Sequence, residues 1–338
     1  MQVGCMGILV VDVFADPIQH LPDAGQLVTT SGLAMSVGGC AANTAIALRI
    51  LGEDVKVAGK VGSDISGDFI LSGLKQRGVG VDHIRRTLQL PTSGTVIFTL
   101  QGEDRRYLHC IGANREFSPD DVDLDFLRDT RVLYFGGYLA TPSFAPDQLA
   151  KLFREAKHRG LLTVLDVVMP AEGSFGIESI APILPYTDYF LPNQDEAARL
   201  TGFADELAQA ECLSAFNPGC TVVITCGPGG SLAVRGKQVI NTPAFPVDTV
   251  EESGAGDAFT AGLIKGILKN WELADALYLA SAVGASCTRS LGCFTGIFSF
   301  AEAVAFLDRH QVHSAPAFKH CEPQPDPRPS VTDAWGLK

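Results

Sequence analysis

Short apolar, β-branched runs separated by longer stretches of helical periodicity recur through most of this chain, and that alternation constrains its fold more than any other feature. Residues 7–11, 55–58, 132–135, 161–165, 189–191 and 221–225 read as near-continuous apolar strands, the pattern of strands covered on both faces. Between them, residues 41–51, 67–77, 145–159 and 195–201 carry helical spacing, and Gly52 and Gly160 close the first and third just past the last apolar turn. Strand-then-helix order needs right-handed crossovers, which predicts an α/β fold with a doubly wound, mainly parallel sheet flanked by helices. Two stretches, 27–37 and 93–110, read as strands with no helix between them. The alternation from Thr95 to Leu100 and a turn at Gly102-Glu103-Asp104 predict a hairpin in a small sheet of its own. The expected organisation is a large domain of residues 1–12, 38–92 and 111–310, a small β-sheet of 13–37 and 93–110, and an extended tail over 311–338. The tail is rich in proline and has no apolar periodicity.

The chain has 338 residues, 46% of them hydrophobic and 19% charged, so a large core can form and a disordered chain is excluded. Lys plus Arg is 26 against 38 Asp plus Glu, a net charge of −12, which repels nucleic-acid phosphates and anionic lipid headgroups; neither nucleic acid nor membrane is an expected partner. The nine cysteines are scattered, with no Cys-x-x-Cys, and read as buried thiols in a reducing compartment. No apolar run approaches the roughly 20 residues that span a bilayer. The short N-terminal run carries Asp12 and no basic residues precede it, so the expected location is the cytoplasm.

The most informative motif is Ser253-Gly254-Ala255-Gly256-Asp257, which opens a helical pattern. A glycine-rich entry into a helix leaves backbone N–H groups unpaired at the positive end of the dipole, which makes an anion site. An acid in that first turn can take a proton from an attacking hydroxyl, although it can also simply stabilise the helix start. Asp12 ends an apolar strand, where open α/β sheets bind ligands, and is otherwise a turn residue. Gly38-Gly39 leads into a helix with Asn43 near its first turn, a place for close approach and hydrogen bonding to a polar ligand or a plain junction. Asn193 and Glu196 have the spacing of a capping box, and their oxygens also suit hydrated Mg²⁺ beside a nucleotide. Thr225, Gly227 and Gly230 form either a turn or a loop that approaches phosphates. There is no Walker-type phosphate loop and no dinucleotide-binding fingerprint.

Taken in order, these motifs resemble the ribokinase-like carbohydrate kinases, the PfkB family. The matches run from 7–12 through Gly38-Gly39 with Asn43, Gly59-Lys60-Val61-Gly62-Ser63-Asp64 with Gly67, Gly112-Ala113-Asn114, Asn193 with Glu196 and Thr225 with Gly227 and Gly230 to Gly254-Ala255-Gly256-Asp257. The resemblance implies a ribokinase-like fold in which the small sheet is a lid. It implies ATP and Mg²⁺ as donor system and transfer of the γ-phosphate to a hydroxymethyl group of a sugar or related polyol. It makes Asp257 the base and the backbone of Gly254, Ala255 and Gly256 the anion hole. Asp12, Gly38, Gly39 and Asn43 would hold the acceptor. Asn193, Glu196, Thr225, Gly227 and Gly230 would serve the nucleotide, with Glu196 reaching Mg²⁺ through water. Lid closure would keep water from the phosphates, and because lid sheets in this family often pair, the resemblance implies a homodimer through the lid.

Three departures bear on that carry-over. Glu251-Glu252-Ser253 stands where the family has Asp-Thr, which argues against activation by a monovalent cation such as potassium and sets two adjacent carboxylates near the phosphates. Asp166-Val167-Val168 replaces Asp-x-Asn, which removes one polar group near the phosphates; residues 134–138 carry no acid, which argues against ribose. Two other readings remain: a nucleoside kinase, with Leu33, Met35, Phe98 and Tyr107 of the lid against the base, and a non-catalytic sugar-binding regulator.

Overall fold

The computed structural model describes residues 2–101, 105–170, 173 and 175–310. The predicted turn at 102–104 and the proline-rich tail beyond 310 lie outside the described residues. Thirteen strands form two sheets: β1 Val3–Gly7, β2 Val10–Ala15, β3 Leu33–Gly38, β4 Val55–Gly62, β5 Gly80–Thr87, β6 Gly94–Thr99, β7 Arg105–Cys110, β8 Val132–Gly136, β9 Leu162–Leu165, β10 Tyr189–Phe190, β11 Thr221–Thr225, β12 Ser231–Arg235 and β13 Gln238–Thr242. The helices are α1 Cys40–Ile50, α2 Ile65–Gln76, α3 Pro146–His158, α4 Gln194–Thr201, α5 Glu206–Ser214, α6 Ala255–Leu268, α7 Leu273–Cys287 and α8 Phe300–Arg309.

Nine strands make the main sheet, in the order β13-β12-β11-β10-β9-β8-β1-β4-β5. From β10·β11 across to β4·β5 every pair is parallel, and the β11·β12 and β12·β13 pairs are antiparallel. The apolar runs are continuous because both faces are covered. One cluster packs Cys5, Val57 and Tyr134 against α1, α6 and α7, and another packs Met6, Phe135 and Leu165 against α3 and the loops beside it. Small residues bring the helices of the first layer close: Gly262 and Gly266 of α6 lie against Ala280 and Ala276 of α7. No helix among the described residues is long and apolar enough to cross a membrane.

The separate small sheet, β3-β2-β6-β7, is present as expected. The strand expected at 7–11, however, is two strands in two sheets: β1 ends at Gly7, and β2 begins at Val10 in the small sheet. Both halves are equally apolar, so hydropathy alone hides the crossing. Asn114 marks it instead, since its side chain accepts from Leu9 N (3.1 Å) and donates to Leu9 O (3.0 Å), satisfying the backbone that neither sheet pairs. Of the stretch 27–37, only the part from Leu33 onward is strand.

Eight cysteines are described, all as free thiols. Cys5, Cys220, Cys287 and Cys293 are buried as expected, whereas Cys110 is exposed on β7.

Candidate active site

Strand order reverses at β1, whose neighbours are β4 on one side and β8 on the other. The carboxyl end of a sheet at such a switch point is where open α/β folds bind ligands. Two helices start there. Gly38 and Gly39 carry the chain off β3 into α1, and Gly254, in the left-handed conformation at φ 81°, turns it into α6. A side chain at Gly254 would be strained and would press on Cys293, which is why the turn takes glycine. The first turns of the two helices are tied together: Asn43 Nδ2 donates to Asp257 Oδ2 (2.9 Å) and Thr44 Oγ1 to Asp257 O (3.4 Å).

Asp257 is half-buried, and loss of hydration pushes its carboxyl up to about 6 against the opposing hydrogen bonds from Asn43 and Cys40. Such a group is mostly ionised at neutral pH yet close enough to it to accept a proton efficiently. Ala255 N–H is turned toward Glu252 O (3.2 Å). Among the described residues, no backbone acceptor takes the N–H of Gly256 or Asp257, so these two are the N–H groups left open at the start of α6.

The loop before α6 resolves the problem of two adjacent carboxylates. Glu251 is 7% exposed and turned inward, accepting from Ser253 N (3.0 Å) and Gly292 N (3.2 Å), while Glu252 is exposed.

Asp12 is not at the end of a main-sheet strand; it sits on β2, in the small sheet, opposite Ser36 and Thr95. Its carboxylate lies over Gly38, where an added Cβ would come within 1.9 Å of Oδ2, so a side chain there would displace the Asp12 carboxylate. Burial pushes Asp12 up to about 6; the Thr95 hydroxyl opposes the shift, and the charges of Asp257 and Glu251 add to it. Thr95 Oγ1 is in turn 3.0 Å from His109 Nδ1. Register also decides which lid residues share this face. Tyr107 pairs with Ile97 and lies on the Asp12 side, whereas Leu33, Met35 and Phe98 lie on the opposite side of the sheet. Those three are corrected as candidates for contact with a nucleoside base.

Farther along the sheet edge, Asn193 and Glu196 make the capping box of α4. Asn193 Oδ1 accepts from Glu196 N and Glu196 Oε2 from Asn193 N, each at 2.9 Å. Burial pushes Glu196 up to about 7, with the bond from Asn193 N–H opposing. Asn193 bridges to Thr225, so the loops after β10 and β11 lie side by side. Gly227 has open space where a side chain would be, whereas Gly230 abuts Thr242 O and answers to the packing of β13.

The sequence reading did not pick out Cys40, the first residue of α1, or Tyr134, whose Oη donates to Asp166 Oδ2 at 3.1 Å. Asp166 follows β9 and is held well above the usual carboxylate range by burial and by the charges of Glu196 and Asp257. Apolar strand patterning masks Tyr134, and Cys40 lies within an alanine-rich helix; no local signal marks either.

A doubly wound fold with two glycine-led helix starts at its switch point has the geometry of an anion-binding site. Residues 2–297 match the pfkB family of carbohydrate kinases, and the chain belongs to that family; it is a carbohydrate kinase. It is 27% identical over 271 residues to a 5-dehydro-2-deoxygluconokinase of Clostridium perfringens, covering 76% of this chain and 79% of that one. It is 25% identical over 315 residues to a ribokinase of Lactococcus lactis, covering 92% and 99%. The structure of Arabidopsis thaliana ribokinase complexed with ribose and ATP superposes with a TM-score of 0.77 at 22% identity, covering 90% of this chain and 98% of that one, a likeness of fold.

Proposed function

We propose that this kinase transfers the γ-phosphate of ATP to a hydroxymethyl group of a sugar or related polyol, with Asp257 as the base. The observation that carries this reading is the pairing of Asp257 with Asn43 beside the open N–H groups of Gly256 and Asp257. An acceptor hydroxyl that gives its proton to Asp257 Oδ then lies next to the anion site where phosphate charge is held. Gly254 aims that site, and Ala255 closes the turn behind it.

On the acceptor side, Asp12 offers two carboxylate oxygens to sugar hydroxyls, and Gly38 and Gly39 leave room for the ring. Asn43 Oδ1, buried without a partner, is a further acceptor. On the donor side, Thr225 and Gly227 line the nucleotide, with Gly230 holding their loop. Glu196 spends one oxygen on its cap and keeps the other, a donor set that fits a hydrated Mg²⁺ with Asn193 beside it. Bound Mg²⁺ would neutralise phosphate charge among these acids. A requirement for a monovalent cation is not part of this reading, because Glu251 already spends its carboxylate on two backbone N–H groups. Homodimers through the outer face of the lid and a cytoplasmic location complete it.

ATP turnover with Mg²⁺ against sugars, phosphosugars and nucleosides, with and without potassium, tests the assignment. Acceptor-dependent ADP release with a sugar and indifference to potassium are expected. Preference for a nucleoside would favour the second acceptor class, and tight sugar binding without turnover would favour a regulator.

A further inference from the structure

Cys40, Asp166 and Asp257 come from three separate elements, yet their Sγ and carboxylate oxygens all lie within 4.8 Å of one another. One thiol and two carboxylates make a mixed donor set. Mg²⁺ takes oxygen ligands and leaves thiolates, whereas zinc and cobalt accept both. Bond lengths of about 2.3 Å to sulfur and about 2.1 Å to oxygen put tetrahedral ligands about 3.6 Å apart, so side-chain movements of about 1 Å would close this group onto one ion.

The surroundings favour a cation. The charged groups that act on the Cys40 thiol are Asp257, Asp166 and Glu196, all acidic. Among the described residues, neither Asp166 nor Asp257 forms an ion pair with Lys or Arg. A separate observation concerns a side chain bonded to the cluster. Asn43 is 5% exposed and holds Asp257 through Nδ2, while its Oδ1 is buried without a hydrogen-bond partner. A buried acceptor left open on an amide already fixed to the cluster suits a donor arriving with the ligand, such as a metal-bound water.

We propose that Cys40, Asp166 and Asp257 form a site for a thiophilic divalent cation of the zinc class, which engages Asp257 and so inhibits phosphoryl transfer. Binding forms a metal–sulfur bond and releases the thiol proton to solvent, with no change of oxidation state. The inhibition rests on the role proposed above for Asp257; the binding does not.

Cobalt(II) titrated into the full chain without nucleotide tests the site directly. A thiolate-to-cobalt charge-transfer band saturating at one ion per chain is expected. It should vanish in Cys40→Ser, require at least about tenfold more cobalt in Asp166→Asn, and persist in Cys110→Ser on the lid. Zinc should displace the cobalt and inhibit turnover, with the inhibiting concentration at least about tenfold higher in Cys40→Ser, measured against that variant's own metal-free rate. A band that survives in Cys40→Ser, or the absence of any band at millimolar cobalt, overturns the site. Cobalt bound through Cys40 without inhibition by zinc would leave the site standing and overturn Asp257 as the base.

Discussion

The main sheet and the lid sheet meet at the same site but are built differently. The strands of the main sheet around β1 are buried on both faces, and α6, which carries Asp257, is locked between α1 and α7. The small sheet has one face on which Asp12 and Thr95 are buried, and an opposite face that is packed at Val11 and Val37 but open farther out, where Leu33 is 72% and Leu108 66% exposed. It is attached through Asn114 on Leu9 and through Val11 and Val37 at its inner end, which pack into the main core. Less burial means less free energy opposing displacement. Under the roles proposed above, the difference teaches a division of labour: Asp257, which would have to hold a fixed geometry during chemistry, sits on the more deeply buried body, and Asp12, which would read the acceptor, sits on the less buried small sheet.

The largest effect should come from breaking the body's half of that division. Asp257→Asn keeps the hydrogen bond from Asn43 and removes the base, so kcat should fall by about 10²–10⁴-fold with the acceptor KM little changed. Steady-state kinetics check this, and a turnover within about tenfold of the parent would erase the distinction. The same variant should be more stable. Asp257 is pushed from 3.8 up to about 6 in the folded chain, so between those values the folded state binds more protons than the unfolded one. Stability therefore falls as pH rises through that window, and the cost remains at neutral pH. Removing the charge should raise the melting temperature at pH 7 by a few degrees, on the order of 1 kcal/mol, which thermal unfolding measures.

A smaller effect should follow from the lid. Asp12→Asn weakens charge-assisted bonds to the acceptor and should raise KM by about 10–100-fold with a lesser change in kcat. The pH profile sharpens the point. Asp12 and Asp257 are both pushed up to about 6, so log(kcat/KM) should fall below that pH with a slope approaching two, from two carboxylates that must both be ionised. In Asp12→Asn the slope should approach one. A parent slope of one would mean that only the body's acid governs the reaction.

The same contrast governs how much could be read from the sequence. The parallel strands β4, β8, β9, β10 and β11 were legible because burial on both faces writes a continuous apolar run, whereas the part-exposed edge strand β5 writes none; the capping box at Asn193 and Glu196 was legible because its chemistry is local. The passage from β1 to β2 was not, because residues 7–11 stay apolar while changing sheets, and so Asp12 was expected on the wrong one. Strand alternation revealed the hairpin of β6 and β7, yet which side of the lid faced the site depended on register with β2, a long-range pairing. The group of Cys40, Asp166 and Asp257 was invisible for the same reason: only the doubly wound topology brings three distant segments to one sheet edge. Glu251 looked repulsive beside Glu252 because sequence gives adjacency and not direction, and the fold turns one inward and leaves the other outside.

The smallest effect on catalysis should come from the lid's outer face. Leu33, Met35, Val96 and Leu108 share that side across β3, β6 and β7 through their pairing with β2 and with one another, and all four are exposed. An apolar sheet face of this kind is stabilised by covering it, and a second copy of the same face is the occupant proposed here. Leu33→Lys with Leu108→Lys would place charge in the centre of such an interface and should convert a dimer to a monomer in sedimentation. Neither residue lies on the Asp12 side, so turnover should stay within about fivefold, the loss coming only from a lid that opens more readily. If the parent chain sediments as a monomer at micromolar concentration, the face is not a dimer surface. If the double variant loses activity as severely as Asp257→Asn, the lid does more than read the acceptor, and the division between body and lid fails.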